Sequence, residues 1–386
     1  MSVPHKRVRS GPRLGITAIV ASTVLATLTA SSAQKPAKLI VVPTVSPTPV
    51  ITPSQVALPS PSPTPTIPTV PSLTFSTYNV AKPTNTEVPA WNKRRLAIGR
   101  TINESNADIV AVQEATALWV VVDGKRIRHW NDLQDLVKPG GYSSAQIQSN
   151  TCSTASHCIH SAHILFKTKT VKQLMLPNGL PSAGQGVLGD IVPGLRYAPK
   201  REFSWAYLQG LNGTGTFLAI SVHLNNETNP AGKADRAKVG AALTKWAKAL
   251  NKKSDLVGTP MVLMGDFNSF EAREPRGMAY QLQKAGWTDS FDAAPDDLKF
   301  NFKAYTTSYT KSNMSGWPKK PIMSKNPVRI DYIMYRGKGL RADVYAVALN
   351  LKKDGSFDNN YRGSDHIMVQ SVIYFENAPS LTAKTP

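Results

Sequence analysis

From residue 73 onward, short hydrophobic runs alternate with longer segments in which apolar and polar positions follow a helical period. Helices are predicted over residues 91–106 and 233–252, where apolar side chains recur on one face. Strands are predicted over residues 73–80, 107–113, 162–167, 216–223, 261–265, 330–335 and 367–374. Strands interleaved with helices exclude an all-α or an all-β fold. Short strands and long loops favour an α/β fold with two mixed sheets flanked by helices over a strict parallel barrel.

The first 33 residues have the pattern of a signal peptide. A basic start is followed by an apolar run over residues 14–30 and by Ser31-Ser32-Ala33, with cleavage expected after Ala33. An uncleaved membrane anchor is the alternative, although the run is shorter than the ~20 residues that a spanning helix needs. We therefore expect a secreted, extracellular protein, tethered to the cell surface if the segment stays attached.

Residues 34–72 are rich in Pro, Ser and Thr and hold 11 of the 29 prolines. Proline donates no backbone hydrogen bond and favours extended polyproline geometry, so this segment is predicted to be a linker. A semi-rigid stalk and an unstructured tail both fit that composition. Residues 73–378 then form the predicted folded domain, and residues 379–386 form a tail.

The chain carries 45 Lys and Arg against 25 Asp and Glu, a net charge of +20. Residues 1–72 hold six of the basic residues and no acidic residue, which leaves a surplus of +14 on the remainder. A surplus of this size favours polyanionic partners such as nucleic acid or anionic lipid.

Cys152 and Cys158 are the only cysteines, which excludes a disulfide scaffold and a four-cysteine zinc site. In an exported protein, this spacing predicts one local disulfide in a surface loop. A metal site that includes His157 and His160 is the alternative.

Polar residues recur where the predicted strands begin or end, which is where a rigid scaffold presents reactive groups. Each has an ordinary explanation when taken singly, as a turn former, a helix-start carboxylate or a structural histidine. Their number in one domain favours a shared functional site over a set of unrelated turns. They are Asn79, Glu114, His223, Asp266, Asn268, Asp331, Asp365 and His366.

This set supplies carboxylate oxygens for a hard divalent ion, amides for a phosphate oxygen, and two histidines for proton transfer. The sequence contains neither a lysine-bearing glycine-rich phosphate loop nor a His-Glu-x-x-His zinc helix. Phosphoester hydrolysis assisted by Mg²⁺ is the reaction that fits, with Mn²⁺ or Ca²⁺ as alternative ions.

Six ordered blocks carry a resemblance to the endonuclease/exonuclease/phosphatase (DNase I-like) superfamily, as a secreted bacterial-type member. That superfamily includes DNase I, exonuclease III-type repair enzymes, neutral sphingomyelinases and inositol polyphosphate 5-phosphatases. It implies a four-layer α/β/β/α sandwich with the active site where the two sheets meet. The blocks are Thr77-Tyr78-Asn79-Val80, Val112-Gln113-Glu114, Ser221-Val222-His223-Leu224, Gly265-Asp266-Phe267-Asn268-Ser269, Arg329-Ile330-Asp331-Tyr332 and Gly363-Ser364-Asp365-His366.

The resemblance also implies a metal side of the site. Glu114 resembles the principal metal carboxylate, Asn79 lies beside it as a metal or phosphate contact, and Asp365 is similar to a further metal-side carboxylate.

On the proton-transfer side, Asp266 resembles the residue that orients or deprotonates the attacking water, and Asn268 the group that holds the phosphate. Asp331 and His366 resemble an Asp–His pair in which the carboxylate fixes the imidazole tautomer. His223 resembles the second histidine, which contacts the phosphate or assists the leaving group. The resemblance leaves the division of proton transfer among these residues open.

Two further residues are weaker candidates. Arg196 precedes a predicted strand and is a candidate phosphate contact, although a solvated surface arginine is an equal alternative. His163 stands where the family usually has a small or amide residue, and we expect it to be structural.

The substrate is less well defined than the reaction, because one fold serves many substrates. A secreted nuclease acting on DNA or RNA is the first hypothesis, supported by the basic surplus. A sphingomyelinase-like lipid phosphodiesterase and an inositol-phosphate-type phosphatase are the alternatives within the enzyme class. A non-enzymatic cell-surface binding domain is the alternative outside it. The sequence indicates no obligate protein partner.

Overall fold

The computed structural model describes residues 70–145, 162–176, 179–307 and 317–376, all within one compact unit. The predicted signal peptide, nearly all of the linker, the tail and the Cys152–Cys158 pair lie outside the described residues and stay predictions. None of the helices within those ranges is long and apolar enough to span a membrane.

The first half of the described chain contains a long strand, a helix and a series of shorter strands. Its elements are β1 (Ser72–Asn79), α1 (Trp91–Ser105), β2 (Ile109–Gln113), β3 (Trp119–Val122), β4 (Lys125–Arg128), α2 (His129–Val137), β5 (Tyr142–Ser144), β6 (Ala162–Lys167), β7 (Val171–Gln173), β8 (Ala183–Val187) and α3 (Leu188–Ile191).

The second half begins with two long paired strands and the longest helix. Its elements are β9 (Glu202–Gly210), β10 (Gly215–His223), α4 (Pro230–Lys253), β11 (Met261–Asp266), α5 (Met278–Lys284), β12 (Thr288–Asp289), α6 (Ser290–Ala293), β13 (Lys299–Phe300), β14 (Asp331–Arg336), β15 (Leu340–Val347) and β16 (Val369–Phe375).

These strands form two mixed seven-stranded sheets and one small hairpin. The first sheet has the order β13-β15-β16-β1-β2-β6-β5, and the second has the order β12-β14-β11-β10-β9-β7 with β8 also paired to β9. The hairpin consists of β3 and β4. β1 and β2 run parallel, as do β10 and β11, so each pair ends at the same edge of its sheet.

Three hydrophobic clusters define four layers, because successive strand residues face opposite sides of a sheet. The central cluster joins Phe75 of the first sheet to Phe217 of the second. On the outer face of the second sheet, Leu218 packs with Leu243 of α4 and with residues of α5. On the outer face of the first sheet, Tyr78 and Val112 pack with α1 and α2. The predicted four-layer α/β/β/α sandwich is thus confirmed.

The predicted elements are present, with ends shifted by a few residues. The strand predicted over 367–374 is β16, which begins two residues later, and the helix over 233–252 extends to Pro230–Lys253. The Asn229 side chain caps that helix by accepting the Gly232 N–H, with Pro230 at the first helical position. The hairpin, α2 and β15 were not predicted, because their short or mixed patterns acquire a buried face only through tertiary packing.

Candidate active site

Strand register brings the predicted catalytic residues of the second sheet side by side. His223 at the end of β10 lies opposite Asp266 at the end of β11, and Asp266 lies opposite Asp331 at the start of β14. Gly265 has φ 155°, and a Cβ there would collide with the Val222 carbonyl oxygen of β10. Glycine therefore permits the close approach of backbones on which this alignment depends.

Asp266 is the centre of the cluster and is 1% exposed. Its Oδ2 accepts a hydrogen bond from Asn79 Nδ2 at 3.1 Å, and its Oδ1 accepts the Asn268 N–H at 2.8 Å. His223 Nε2 lies 3.4 Å and His366 Nε2 lies 3.7 Å from the same Oδ2. Residues from both sheets thus converge on one carboxylate, at the junction that the resemblance implied.

His366 and Asp331 form the expected pair. His366 Nδ1 lies 3.0 Å from Asp331 Oδ2 and 3.2 Å from Oδ1, and both side chains are buried. Thr306 Oγ1 accepts the Asp331 N–H at 3.3 Å, and Ser364 Oγ accepts the His366 N–H at 3.2 Å. The Nδ1 contact directs Nε2 of the imidazole toward Asp266.

Asp266 and His366, the two neighbours at the centre of the cluster, both have shifted pKa values. Burial raises the pKa of Asp266 to about 7, with His366 lowering it and Asp331 raising it. Burial lowers the pKa of His366, but the carboxylates of Asp331 and Asp266 outweigh burial and raise that pKa well above the ordinary value. An Asp carboxyl that titrates near neutrality beside a protonated histidine is suited to proton exchange at physiological pH.

Glu114 has the features of a metal carboxylate. It follows β2 directly and has φ 60°, in the left-handed region where non-glycine residues are uncommon. Its Oε2 accepts the Lys82 N–H at 2.7 Å, and its other oxygen takes part in no hydrogen bond among the residues that the structure describes. Glu114 is half-buried, and a carboxylate oxygen with no donor among the described residues fits a hard divalent ion.

The other predicted metal residues flank this position. Asn79 ends β1 beside β2, and its Oδ1 accepts the Ala81 N–H at 3.0 Å. Asp365 accepts hydrogen bonds from Ser364 Oγ at 3.2 Å and from Asn85 Nδ2 at 3.2 Å. The atoms that these residues could offer to a metal ion are all oxygens, which suits Mg²⁺, Mn²⁺ or Ca²⁺.

A second group could also hold an ion. Within the described ranges, Asp266, Asp331 and His366 each offer one ligand atom within 4.8 Å of the others. Glu114 and Asp365, the carboxylates expected on the metal side, lie outside that group. The His366 Nδ1 contact occupies Asp331 in this structure, and His366 Nε2 lies 3.7 Å from Asp266, so the imidazole separates the two carboxylates.

Asn268, the predicted phosphate contact, sits in the loop after β11 with φ 49°. Its Nδ2 donates to the Leu224 carbonyl oxygen at 3.0 Å, immediately after His223. The left-handed backbone and this hydrogen bond hold the amide next to the cluster.

Arg94 frames the site from α1 and was not predicted. Its buried guanidinium donates to the carbonyl oxygens of Val80 at 2.6 Å, Ala81 at 2.6 Å, Gly363 at 2.9 Å and Pro89 at 2.9 Å. These carbonyls belong to the loops that follow Asn79 and precede Asp365. One arginine therefore fixes the two loops relative to each other, and the basic run at 93–95 was its only sequence signal.

Arg201 is a second site residue that sequence reasoning missed. Its buried guanidinium donates through Nη1 to the Leu224 carbonyl oxygen, which also accepts from Asn268. Burial lowers its pKa to about 10, while the charges of Glu114 and Asp266 oppose that shift. Arg201 forms no ion pair with any described residue, so a buried positive charge lies near Glu114 and Asp266.

The weaker candidates lie elsewhere. Arg196 is exposed, and its backbone N–H donates to Asp235 Oδ2 at 2.8 Å. No described hydrogen bond or ion pair joins its side chain to the cluster. His163 contacts the Ala115 carbonyl oxygen through Nε2 at 2.9 Å and stacks on Trp130 at 3.9 Å, a packing role as expected.

Solved structures share this fold at low sequence identity. An endonuclease/exonuclease/phosphatase family protein from Bacteroides thetaiotaomicron matches with a TM-score of 0.56 and 16% identity, over 80% of this chain and 100% of that chain. The mannosyl-6-phosphatase of Bacteroides thetaiotaomicron VPI-5482 matches with a TM-score of 0.55 and 17% identity, over 79% and 100%. The human Nocturnin catalytic domain with a bound sulfate anion matches with a TM-score of 0.51 and 16% identity, over 80% and 96%.

No curated protein matches the sequence. The model of the Endonuclease/Exonuclease/phosphatase family matches residues 76–366, about three quarters of the chain. The matched span runs from within β1 to His366 and so includes every predicted catalytic residue. Its members hydrolyse phosphoester bonds, usually with a divalent metal, which makes this chain an enzyme of that class. The chain therefore belongs to the endonuclease/exonuclease/phosphatase family.

Proposed function

We propose that this protein is a secreted, Mg²⁺-dependent nuclease that hydrolyses phosphodiester bonds of DNA or RNA. The observation that carries the phosphoester chemistry is the convergence of His223, Asn79 and His366 on the buried Asp266 carboxylate. Export rests on the residue pattern of positions 1–33, and the choice of Mg²⁺ rests on the all-oxygen donors near Glu114.

Asp266 is the proposed acceptor of the proton from the attacking water, because its pKa of about 7 balances availability and basicity at neutral pH. His366, held by Asp331, stabilises the Asp266 carboxylate and can exchange a proton with it. His223, on the other side of Oδ2, is placed to contact a phosphate oxygen or the leaving group.

Glu114, Asn79 and Asp365 are the residues that would hold the divalent ion. When bound, the ion neutralises a phosphate oxygen and the leaving alkoxide. The proposed phosphate contacts of Arg201 and Asn268 do not depend on the ion. The buried Arg201 guanidinium forms no ion pair with a described residue, and a bound phosphate would compensate its charge.

Nucleic acid is favoured as the substrate by charge. Residues 73–386 keep the surplus of +14, and neutralisation of phosphates supplies most non-specific nucleic-acid affinity. The similar structures include a mannosyl-6-phosphatase, so a small phosphoester is the second candidate.

The test uses the purified chain with plasmid DNA, single-stranded RNA, sphingomyelin, inositol phosphates and mannose 6-phosphate, each with Mg²⁺ or with EDTA. EDTA-sensitive cleavage of DNA or RNA is expected. Cleavage of sphingomyelin or of a sugar phosphate alone would replace the nuclease proposal. The Asp266→Asn variant serves as the control for a contaminating enzyme, since it should be inactive on every substrate.

A further inference from the structure

The hairpin of β3 and β4 has two chemically different faces. Val120 and Val122 are each 7% exposed and pack with the cluster that contains α1 and α2. On the opposite face, Trp119 is 46% and Val121 is 60% exposed. Because Trp119 pairs with Arg128 and Val121 pairs with Arg126, the two arginines share that outer face.

The arginines lie against the tryptophan ring. The Arg128 guanidinium carbon is 3.9 Å from the Trp119 ring centroid, and that of Arg126 is 4.8 Å from it. The ring stays nearly half exposed despite these contacts. The outer face therefore combines an aromatic surface with two cations.

The hairpin is firmly attached to the domain. Asp123 and Gly124 have φ 49° and 75°, as in the two-residue turns whose twist matches paired strands. At its base, Arg128 Nη1 donates to the Ala117 carbonyl oxygen at 2.6 Å, and the Trp130 N–H donates to Thr116 at 2.9 Å. A ligand on this face would meet a preformed surface rather than a mobile loop.

We propose that this outer face, formed by Trp119, Val121, Arg126 and Arg128, is a docking surface for single-stranded nucleic acid, which rests on the nuclease function proposed above. Bases stack on exposed aromatic rings and on guanidinium planes, while cations bind the phosphates between them. The hairpin residues 119–128 carry three cations, Lys125, Arg126 and Arg128, against one acid, Asp123. Within the hairpin, Trp119 and Val121 are the only large apolar side chains that are exposed, and both lie beside arginines, which suits a strand of phosphates better than the interior of a lipid layer.

The distance to the catalytic cluster suits this role. Trp119 follows Glu114 by five residues, so their Cα atoms are at most ~18 Å apart. That span corresponds to roughly five nucleotides at ~3.4 Å each. A single strand of about this length, with its scissile phosphate near Glu114, would therefore reach the hairpin.

The test compares Trp119→Ala and Arg126→Ala with two matched controls on the other helical layer. Tyr280→Ala removes an exposed aromatic ring from α5, and Lys248→Ala removes an exposed cation from α4. Binding of a fluorescent 20-nucleotide single strand is measured in EDTA, so that affinity is read without hydrolysis. Hydrolysis of the same strand and of bis(p-nitrophenyl) phosphate is measured with Mg²⁺.

We expect each hairpin variant to bind the 20-mer about tenfold more weakly, since one base–aromatic stack or one cation is lost. Arg126→Ala should also flatten the slope of log Kd against log salt by ~0.7. Hydrolysis of the small phosphodiester should stay unchanged, as should 20-mer binding by the controls.

Unchanged 20-mer binding by both hairpin variants would overturn the docking surface. Equal losses of hydrolysis on the 20-mer and on the small phosphodiester would also overturn it, because they indicate structural damage. Unchanged 20-mer binding with lost binding to phosphatidylserine vesicles would identify a membrane surface instead. If the native chain binds the 20-mer through the hairpin but cleaves no nucleic acid, the nuclease proposal fails while the docking surface stands.

Discussion

Replacing Asp266 by asparagine should abolish hydrolysis and also change how the stability of the protein depends on pH. Asp266 is buried, and burial raises its pKa from 3.8 to about 7. Between these values the folded protein retains a proton that the unfolded chain has released. The free energy of unfolding therefore falls as the pH rises through this window, and it levels off above about pH 8. An asparagine side chain is neutral at every pH, so the variant does not lose stability in this way.

The magnitude follows from the shift. One pKa unit is worth about 1.4 kcal/mol, so titration of this carboxyl lowers the stability of the native chain by about 3 kcal/mol between pH 5 and pH 8. Asparagine cannot accept both hydrogen bonds that Asn79 and Asn268 donate to Asp266, which costs ~1–3 kcal/mol at every pH. This constant cost shifts the two stability curves relative to each other without changing their difference in slope. His366 keeps its contact with Asp331 in the variant, so its imidazolium stays stabilised.

Urea unfolding of the native chain and Asp266→Asn, both in EDTA, checks this at pH 5 and pH 8. Relative to the native chain, the variant should gain about 3 kcal/mol between the two pH values. Asp297→Asn is the control, because this aspartate is exposed to water and its loss should leave the difference nearly constant. An Asp266→Asn difference that is the same at both pH values would refute the raised pKa and the proton-acceptor role built on it.

Four further changes test the rest of the site. His366→Asn should lower kcat about 10³-fold or more at neutral pH with little change in KM, measured by steady-state kinetics on the cleaved substrate. Arg201→Met should lower kcat/KM about 10²-fold through the lost buried charge, and Arg196→Met, the exposed control, should not change it. Arg94→Ala should destabilise the protein by ~3–5 kcal/mol in urea unfolding, since it leaves buried carbonyls without donors. Glu114→Gln should raise the Mg²⁺ concentration needed for half-maximal activity at least tenfold, whereas an unchanged requirement would remove Glu114 from the metal site.

The parts of the fold and the site that could be predicted from sequence are those that depend on local pattern. Runs such as Met261–Asp266 are hydrophobic over a strand length and end in a polar residue, so both the strand and its reactive end are visible in one stretch of chain. The contacts of Asp266 with Asn79 join residues 187 positions apart, and only the ordered motifs of a family, not periodicity, indicated that they meet.

The arginines show where local pattern fails. Arg196 and Arg201 lie five positions apart in the same loop region and are equally basic, yet one is exposed and the other faces the cluster. What separates them is burial against Leu224 and the nearby carboxylates, which comes from the packing of β9 beside β10. The amphipathic hairpin was missed for a related reason. Val120 and Val122 of the hairpin are buried only because α1 and α2 cover them.

The same packing explains how the site can hold like charges close together. Asp266 and Asp331 lie opposite each other on adjacent strands, and both are buried, an arrangement that would repel if both were ionised without a cation. His366 lies between them with one ring nitrogen toward each carboxylate, and its raised pKa keeps it positive. The histidine between the carboxylates offsets their charge, and the raised pKa of Asp266 keeps part of that carboxyl protonated at neutral pH. The same buried carboxylate sets both the pH dependence of stability and the proton transfer. The changed pH dependence of stability in Asp266→Asn and its loss of activity should therefore appear together.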